Sequence, residues 1–324
     1  MSTKPLVYVL DPYHPDAISL LQCTPTISVT LPSSPLTKSK TWHQDAVAIL
    51  VRSETHLTSS DFTRAPNLKV IVKQGVGVDN IDLKAAAAHG IAVHNTPALN
   101  SEAVAELALA LPLSLARRVS EIDRRVRKGE AVVRSQVLGV SLFRKTVGVV
   151  GMGNIGREVA RKWRGACESR VLAYDPVAGE GVWEGQGIEH VRVGSLEEVL
   201  READVVTLHV PLLESTRGMI GERELGLMKR EAILVNCARG GIVDEEALAR
   251  ALKEERILGA CLDALEIEPP NKETHKALLE SERVVLMPHV GASTRENQSR
   301  SGVAVVETLL AVLRGDKDAP GKVV

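Results

Sequence analysis

The sequence predicts an α/β protein made of two doubly wound parallel-sheet domains. Short apolar runs that fit buried strands alternate with helical segments along the chain, and this alternation is typical of parallel sheets covered by helices. The 324 residues are enough for two domains with cores of their own. An apolar fraction of 44% with 25% charged residues is ordinary for a globular chain, which excludes fibrous and disordered classes.

The N-terminal part predicts a small parallel α/β unit. Its apolar runs fit five buried strands, at 6–10, 27–31, 46–51, 68–72 and 91–94. Helices are predicted at 16–22 and 82–89. Ligands of parallel sheets bind outside the carboxyl ends of the strands. We therefore expect ligand-binding residues in the loops at 52–55 and 75–77.

A long helix over 101–128 is predicted to follow this unit. Its apolar residues recur at helical spacing: Val104, Leu107, Ala108, Leu111 and Leu115. Pro112 lies inside the pattern, where it removes a backbone donor, so we expect a kink at that position.

A second series of strands begins near Lys145. Its strands are predicted at 147–150, 171–174, 205–210, 232–236, 257–263 and 284–287, and a closing helix at 295–314. This order implies a cofactor domain, 100–291, inserted into a smaller substrate domain made of 1–99 and 292–324. A cleft between the two domains is expected from that connectivity, and clefts between domains are favoured ligand sites.

The stretch 146–175 is the most informative part of the sequence. Gly151, Gly153 and Gly156 stand at G-x-G-x-x-G spacing between a predicted strand and a predicted helix. The first glycine permits a tight turn, the second lets backbone N–H groups approach a pyrophosphate, and the third allows close packing of helix on strand. Asn154 and Ile155 open the helix, whose N-terminus attracts phosphate. The pattern predicts Rossmann-type dinucleotide binding.

Asp175 ends the next predicted strand, 19 residues after Gly156. An acid at about this spacing accepts hydrogen bonds from the adenosine ribose hydroxyls. A carboxylate would repel the 2′-phosphate of NADP, and the next residue is Pro176 rather than a basic residue. The sequence therefore predicts NAD as the cofactor. Arg192 lies too far along the chain to be assigned a role.

Charge and composition argue against several other partners. A net charge of −1 provides no field that attracts nucleic acid or anionic membranes, and 2% aromatic residues leave little material for base stacking. The four cysteines lack C-x-x-C spacing, so we expect no metal site and a reduced, cytoplasmic setting. No signal-peptide pattern or membrane-spanning apolar stretch is seen.

Three predicted strand ends of the second series carry Arg239, Glu268 and His289. Taken singly, each has an ordinary interpretation as a surface arginine, a loop acid or a structural histidine. The carboxyl ends of parallel strands meet at one edge of a sheet, and this edge also holds the dinucleotide. Together the three residues therefore predict a catalytic site.

The chain resembles the D-isomer-specific 2-hydroxyacid dehydrogenases, and most closely their 3-phosphoglycerate dehydrogenase branch. The motifs that carry the resemblance cover nearly the whole chain in the family's order: QGVGVDNIDL (74–83), NTPALNS (95–101), VGVVGMGNIG (147–156), YDP (174–176), HVPL (209–212), NCARGGIVDEEAL (236–248), EPP (268–270) and PHVGAST (288–294). They are specific for the superfamily and much less so for the substrate.

The resemblance implies a role for each candidate catalytic residue. His289 would be the general acid/base that exchanges a proton with the 2-hydroxyl while hydride passes between C2 and the nicotinamide. Glu268 would pair with His289 and stabilise its imidazolium form. Arg239 would bind the substrate carboxylate and polarise the 2-oxo oxygen, because a guanidinium offers two forked donors.

Further ligand-binding residues follow from the same resemblance. Arg52 and Lys73 match positions where the phosphoglycerate branch carries basic groups, whereas Glu54 in the same loop would repel a phosphate. The other expected substrate-binding residues are Ser53, Val76 and Gly77. The other expected cofactor-binding residues are His209, Val210, Pro211, Cys237, Ala238 and Asp263.

The substrate and the assembly are the least determined features. We favour an unphosphorylated 2-hydroxy/2-oxo acid pair of the glyoxylate or hydroxypyruvate type; the alternative is D-3-phosphoglycerate. An alternative of another class is an NAD(H)-sensing, co-repressor-like binding protein. The resemblance also implies a homodimer built through the cofactor domain. Because the sequence stops at Val324, soon after the closing helix, we expect a short form without regulatory domains.

Overall fold

The computed structural model describes residues 4–32 and 42–324, and two parallel sheets form within this part of the chain. The chain divides into two compact units. Unit 1 takes the described residues up to Asn100 together with Ser293–Val324, and unit 2 is Ser101–Ala292. The paired strands of both sheets run parallel, and a helix lies between nearly all consecutive strands, so the predicted fold class is confirmed.

Unit 1 contains a five-stranded sheet in the order β2-β1-β3-β4-β5. Its strands are β1 (Leu6–Val9), β2 (Ser28–Thr30), β3 (Ala48–Val51), β4 (Val70–Lys73) and β5 (Ala92–His94). All five were predicted. Every residue of β3 and β4 is buried, as expected for a parallel sheet covered on both faces. Strand β2 pairs with one edge of β1 and β3 pairs with the other, so the strand order reverses at β1. The ends of β1 and β3 therefore lie side by side.

The described helices of unit 1 are Pro15–Gln22, Trp42–Asp45, Ser59–Thr63, Leu83–Ala88 and Arg295–Leu313. Two of them, Trp42–Asp45 and Ser59–Thr63, were missed because four or five residues are too few to show a helical period. The closing helix packs on the first one: a Cβ at Gly302 would stand 3.0 Å from the Cβ of Ala17. The absence of a side chain at Gly302 allows this close approach.

Unit 2 contains a seven-stranded sheet in the order β12-β11-β10-β9-β6-β7-β8. Its strands are β6 (Thr146–Val150), β7 (Arg170–Tyr174), β8 (Val191–Arg192), β9 (Val205–Leu208), β10 (Ile233–Asn236), β11 (Gly259–Leu262) and β12 (Val284–Leu286). Only β8 was not predicted, because two residues carry no periodic signal. Strand β6 lies between β7 and β9, so the order reverses there, and ligands of such sheets bind at that point.

The helices of unit 2 are Ser101–Ala116, Val119–Arg127, Asn154–Cys167, Leu196–Glu202, Glu222–Leu227, Glu245–Lys253 and Lys276–Leu279, with a 3-10 turn at Arg134–Gln136. None of the helices in residues 4–32 and 42–324 is long and apolar enough to cross a membrane.

The prediction of one helix over 101–128 was wrong, whereas the kink at Pro112 stays a prediction. Pro112 is buried inside the helix Ser101–Ala116, and the break falls later, where Arg118 adopts a left-handed conformation with φ of 54°. The carbonyl of Ala116 accepts a hydrogen bond from the amide of Val140 at 2.8 Å. This bond from a distant loop ends the helix, and nothing in the local sequence indicates it.

Candidate active site

His289 and Glu268 form a hydrogen-bonded pair in unit 2. The Nδ1 atom of His289 lies 2.9 Å from Oε2 and 3.2 Å from Oε1 of Glu268. About a third of each side chain is exposed, 34% and 32% respectively. Since Nδ1 is engaged by the carboxylate, Nε2 is the ring nitrogen left to exchange a proton with a ligand.

Glu268 is held in its charged form by its surroundings. Burial acts to raise its pKa, but the hydrogen bond with His289 and the charge on that ring act in the opposite direction. The amide of Leu265, which donates to Oε1 at 3.0 Å, and the charge of Arg239 lower it further. The net pKa is below the usual value, so the carboxylate stays ionised near neutral pH and can orient the imidazole.

The loop that carries His289 is fixed by Asp263, which is 2% exposed. The two carboxylate oxygens accept hydrogen bonds from the amides of Val290 and Gly291, each at 2.8 Å, and the backbone carbonyl accepts from the amide of His289 at 2.8 Å. These bonds hold His289 at φ of 57°, a conformation that costs a non-glycine residue about 1–2 kcal/mol. Asp263 therefore positions the histidine, and its sequence-based role at the nicotinamide stays a prediction.

Arg239 lies in the turn after β10, next to the strand whose end leads to Glu268. Its Nη1 atom donates to the carbonyl of Ala238 at 2.7 Å, and its charge reaches Glu268. The turn is shaped by Asn236, whose side chain donates to the Arg239 carbonyl at 2.8 Å and accepts from the amide of Ala238 at 3.1 Å. Sequence reasoning missed Asn236, although a buried amide at a strand end was a usable signal.

The glycine turn fits a dinucleotide pyrophosphate. A Cβ at Gly151, where φ is 101°, would lie 2.4 Å from the carbonyl oxygen of His209, and one at Gly156 would lie 2.0 Å from the oxygen of Gly151. Around Gly153 a Cβ would meet nothing within 4 Å. The turn is thus closed on the protein side and open on the other. The helix that follows begins with Asn154 and Ile155, whose amides are available to an anion.

Asp175 supports the glycine turn, and its expected contact with the adenosine ribose stays a prediction. One carboxylate oxygen accepts from the amide of Met152 in the glycine turn at 2.9 Å, and the other accepts from the amides of Val177 and Ala178 at 3.0 and 3.1 Å. Trp183, which is buried, donates its indole N–H to the carbonyl of Met152 at 2.9 Å. Asp175 and Trp183 therefore hold the glycine turn from both sides. Sequence reasoning missed Trp183, which no motif marks.

Arg192, which the sequence left unassigned, stabilises the loop after Asp175. Its guanidinium donates to the carbonyls of Asp175, Ala178 and Gly179 at 3.0, 2.6 and 2.7 Å. The guanidinium therefore fixes the backbone of this loop.

His209 follows β9 beside the glycine turn. Its Nε2 atom lies 2.8 Å from Oγ1 of Thr207, whereas its buried Nδ1 atom has no hydrogen-bond partner in the described residues. Burial lowers the pKa of His209 to about 3, so the ring is neutral at physiological pH. Buried polar atoms normally have a hydrogen-bond partner, so Nδ1 of His209 is available to form a hydrogen bond with a ligand. Val210 and Pro211 come next in the chain, and Val210 Cγ1 would lie 3.1 Å from a Cβ at Gly151.

Cys237 and Ala238 stand in the turn between β10 and Arg239, and both are buried. Burial, with the nearby charge of Asp263, raises the pKa of the Cys237 thiol far above its usual value. The thiol therefore stays protonated, which excludes thiolate nucleophile chemistry at this position. In the two described segments, no group of three or more His, Cys, Asp or Glu side chains is arranged to hold a metal ion.

The predicted substrate-binding residues lie in unit 1. Lys73 is buried at the end of β4, where its Nζ atom donates to the carbonyl of Gly77 at 2.5 Å and to Oγ of Ser53 at 3.4 Å. Val76 is 41% exposed. The structure thus brings Ser53, Lys73 and Gly77 together. Arg52 is directed elsewhere, because its Nη1 atom donates to the carbonyl of Pro12 at 3.0 Å.

The loop at 52–55 is shaped by two polar residues that sequence reasoning missed. Asp11, at the end of β1, accepts from the amide of Arg52 and from the Thr55 hydroxyl, each at 2.5 Å. Asn80 donates to the carbonyls of Arg52 and Thr55 at 2.8 and 2.6 Å. Both residues are buried, and both lie far from the loop in sequence.

Comparison with known proteins identifies the class to which this fold and site belong. Residues 109–291 match the family model described as "D-isomer specific 2-hydroxyacid dehydrogenase, NAD binding domain". The chain belongs to the D-isomer specific 2-hydroxyacid dehydrogenase family, and the resemblance seen in the sequence is confirmed. NAD as the cofactor is confirmed with it.

Individual relatives differ in the substrates that their names give. The chain is 42% identical over 312 residues to D-3-phosphoglycerate dehydrogenase of Methanocaldococcus jannaschii, covering 96% of this chain and 58% of that protein. It is 45% identical over 258 residues to glyoxylate reductase of Korarchaeum cryptofilum, covering 79% and 76%. The chain thus spans little more than half the length of the phosphoglycerate dehydrogenase.

A solved structure has the same fold with a cofactor bound. D-lactate dehydrogenase of Aquifex aeolicus, complexed with NAD and lactic acid, superimposes with a TM-score of 0.84 at 31% identity. The match covers 96% of each chain.

A substitution of Asp175 tests its proposed role in selecting NADH over NADPH. Alanine at this position would free the amides of Met152, Val177 and Ala178, whereas asparagine keeps one of the two acceptor oxygens without the charge and is therefore the better variant. We expect Asp175→Asn to lower the preference for NADH over NADPH about tenfold, which corresponds to about 1.4 kcal/mol. Fluorescence titration of both cofactors measures this without any substrate. An unchanged ratio of the two dissociation constants, in a variant with wild-type thermal stability, would remove Asp175 from cofactor selection.

Proposed function

We propose that this chain is an NAD-dependent dehydrogenase that transfers hydride between the nicotinamide and C2 of a small D-2-hydroxyacid/2-oxoacid pair. The observation that carries the proposal is the ionised Glu268 bonded to Nδ1 of His289, with the charge of Arg239 in reach, on strand ends of the sheet that also bears the glycine turn. An imidazole, a carboxylate and a guanidinium are the groups that this reaction requires.

Each of these side chains has a task in the reduction direction. When bound, NADH supplies the hydride that reaches C2. His289, protonated on both nitrogens and held by Glu268 at Nδ1, donates its Nε2 proton to the 2-oxo oxygen, which becomes the hydroxyl. Arg239 binds the substrate carboxylate and stabilises the negative charge that grows on the 2-oxo oxygen. In the oxidation direction neutral His289 takes the hydroxyl proton back.

The proposed cofactor site extends over the residues predicted from the sequence. Gly151, Gly153, Asn154, Ile155 and Gly156 would hold the pyrophosphate, and Asp175 the adenosine ribose. The residues proposed for the nicotinamide side are His209, Val210, Pro211, Cys237, Ala238 and Asp263. Two observations support this assignment: the open surface at Gly153 and the unpartnered Nδ1 of His209.

For the substrate we propose an unphosphorylated acid of the glyoxylate or hydroxypyruvate type in preference to 3-phosphohydroxypyruvate. A phosphate would need the basic groups Arg52 and Lys73, and both already donate hydrogen bonds to carbonyls within unit 1. Glu54 lies in the same loop and is exposed, where it would repel a dianion. Ser53 and the amides of Val76 and Gly77 are proposed to bind the carboxylate.

NADH oxidation with a panel of 2-oxo acids tests the function and the substrate together. We expect kcat/KM for glyoxylate or hydroxypyruvate to exceed that for 3-phosphohydroxypyruvate at least about tenfold, the discrimination that about 1.4 kcal/mol provides. The reverse order would favour D-3-phosphoglycerate as the substrate. Absence of turnover with glyoxylate, hydroxypyruvate, 3-phosphohydroxypyruvate and pyruvate, with NADH binding intact, would contradict the enzyme and favour an NAD(H)-sensing, co-repressor-like protein.

We also propose a homodimer. The helix Val119–Arg127 has no buried residue, and its Val119 and Val126, seven residues apart and therefore on one face, are 54% and 57% exposed. Exposed Leu138 and Phe143 follow in the same part of unit 2. Exposed apolar side chains that form one contiguous patch mark protein interfaces, and we propose that these residues form such a patch. A cytoplasmic location is proposed with it, because Cys23, Cys167, Cys237 and Cys261 are free thiols.

Light scattering checks the assembly. We expect the wild-type chain to show twice the chain mass at micromolar concentration and Val126→Glu to show the chain mass, because a carboxylate would be buried unpaired at the interface. Val177→Glu is the matched control, since Val177 is 91% exposed outside this surface. A wild-type monomer would contradict the proposal.

A further inference from the structure

Unit 2 contains a second carboxylate–imidazole pair that the proposed reaction does not use. Oε2 of Glu245 lies 3.0 Å from Nε2 of His275, and the two side chains are 14% and 3% exposed. Burying such a pair costs free energy unless its remaining hydrogen-bonding capacity is also used. Its other bonds therefore indicate what the pair does.

Glu245 binds the loop that carries Glu268. Its second oxygen, Oε1, accepts a hydrogen bond from the amide of Glu266 at 2.7 Å. The preceding amide, that of Leu265, donates to Oε1 of Glu268. Two successive N–H groups of this loop are therefore fixed by two glutamates, one from within the loop and one from the neighbouring helix.

Glu245 also connects this loop to the turn that carries Arg239. Glu245 begins the helix Glu245–Lys253, which follows that turn directly. Next to Arg239, a Cβ at Gly240 would lie 2.0 Å from the carbonyl oxygen of Leu265 and 2.4 Å from the amide nitrogen of Glu266. The backbone of the arginine turn thus rests on the same peptide group that Glu245 holds.

His275 holds the side chain of Glu245 in place. Its Nδ1 atom lies 2.7 Å from Oγ1 of Thr274, whose hydroxyl donates to Oδ1 of Asn271 at 3.1 Å, so Nδ1–H donates to Thr274 and Nε2 faces Oε2 of Glu245. Burial raises the pKa of Glu245, against the opposing effects of the Glu266 amide and His275, and the charge of Glu266 adds to the increase. Arg217, at 3.8 Å from Glu266, partly offsets that charge. What Glu245 holds is defined by its geometry, with one oxygen on the Glu266 amide and the other on His275.

We propose that Glu245, supported by His275, is a positioning residue that sets the placement of Arg239 relative to the Glu268–His289 pair. The proposal deepens the proposed dehydrogenase function and rests on it. Glu245 does not touch the reacting atoms. It acts through the Leu265–Glu266 peptide, on which the arginine turn packs and from which Glu268 is oriented.

Two substitutions separate positioning from charge. Glu245→Ala removes the acceptor of the Glu266 amide and leaves Nε2 of His275 without its partner. Glu245→Gln can keep every bond: its oxygen accepts from the Glu266 amide, and its amide donates to Nε2 of His275. Nδ1 of His275 keeps its bond to Thr274, which still donates to Oδ1 of Asn271.

We expect Glu245→Ala to lower kcat about 10–100-fold, the cost of a small misplacement of reacting groups, with the KM for NADH unchanged. Glu245→Gln is expected to restore kcat to within about threefold, since the geometry is kept. Glu245→Asp keeps the charge but is one methylene shorter, so it should resemble the alanine variant. If the alanine variant does not fold, the aspartate variant replaces it in this test. Equal losses in the glutamine and alanine variants, or full activity of the alanine or aspartate variant, would overturn the proposal.

A second readout distinguishes positioning from loss of stability. In Glu245→Ala the pH dependence of kcat and the ring NMR signals of His289 should change in the same direction as in Glu268→Gln, whereas Glu245→Gln should leave both unchanged. A variant that loses only thermal stability, with the pH profile and ring signals of the wild type, would overturn the proposal. The ring signals are assigned with His289→Gln and need no substrate. A wild-type protein without turnover would therefore contradict the dehydrogenase proposal. The comparison of the His289 ring signals among the variants would still test the role of Glu245.

Discussion

Replacement of His289 by glutamine is expected to lower kcat about 10²–10⁴-fold, the usual contribution of a positioned acid/base group, and to leave NADH affinity within a few-fold of the wild type. Glutamine preserves the size and part of the hydrogen bonding of the ring, but it cannot deliver a proton to the 2-oxo oxygen. The glycine turn and Asp175 stay untouched, because their bonds do not involve the histidine side chain. Single-turnover NADH oxidation measures the chemical step, and fluorescence titration measures binding.

A backbone constraint determines the best control for this experiment. His289 has φ of 57°, a region that asparagine tolerates better than glutamine. His289→Asn therefore controls for a misplaced loop, and it should lose kcat as severely as the glutamine variant. Glu268→Gln keeps the imidazole but replaces the carboxylate that orients it, so a smaller loss is expected there. Near-normal turnover of both histidine variants would refute the role of His289 as acid/base.

The features that the sequence predicted are those with a local signal. The buried strands appear as apolar runs because parallel strands covered on both faces need apolar side chains at every position. The glycine turn is recognisable because close approaches at Gly151 and Gly156 exclude a side chain, while the open surface at Gly153 leaves room for a ligand. Arg239, Glu268 and His289 could be grouped because parallel topology brings successive strand ends to one edge, where Glu268 and His289 are in contact.

The features that were missed depend on partners far away in sequence. Trp183 supports the glycine turn through Met152, 31 residues earlier. Glu245 contacts His275, and strand β11 lies between these two residues in the sequence. The break at Arg118 follows from a bond between Ala116 and Val140 rather than from Pro112. A proline removes one donor and fixes one dihedral, but packing of the buried helix Ser101–Ala116 overrides that local preference.

Buried polar side chains account for most of the positioning roles that only the structure shows. Asn236, Asp263 and Glu245 each bind backbone groups of a loop that bears a candidate catalytic residue. Such loops leave the sheet and lose the hydrogen bonds of the strand ladder, so their N–H and C=O groups need other partners. A polar residue just after a buried strand is a usable signal for this task, although the loop that it binds cannot be read from the sequence.

Arg239→Gln is expected to lower kcat/KM for the 2-oxo acid about 10²–10³-fold, the range found when a donor to a developing oxyanion is removed. A guanidinium can bind a carboxylate with two parallel N–H donors, whereas an amide offers neither the fork nor the charge. NADH affinity should change little, because the proposed cofactor residues keep their own contacts. Steady-state kinetics over a range of substrate concentrations, together with NADH titration, separate these two effects.

Arg239→Lys divides the loss into charge and geometry. Lysine keeps the positive charge but binds as a single point, so we expect an intermediate loss of about 10–100-fold, equivalent to one charge-assisted hydrogen bond of about 1.5–3 kcal/mol. Arg230→Lys is the matched control, because Arg230 is 80% exposed and lies 3.8 Å from Glu255, outside the loops of the site. A lysine variant as active as the wild type would show that charge alone suffices. Equal activity of the glutamine variant would contradict substrate binding by Arg239, and with it the use of this sheet edge as the reaction centre.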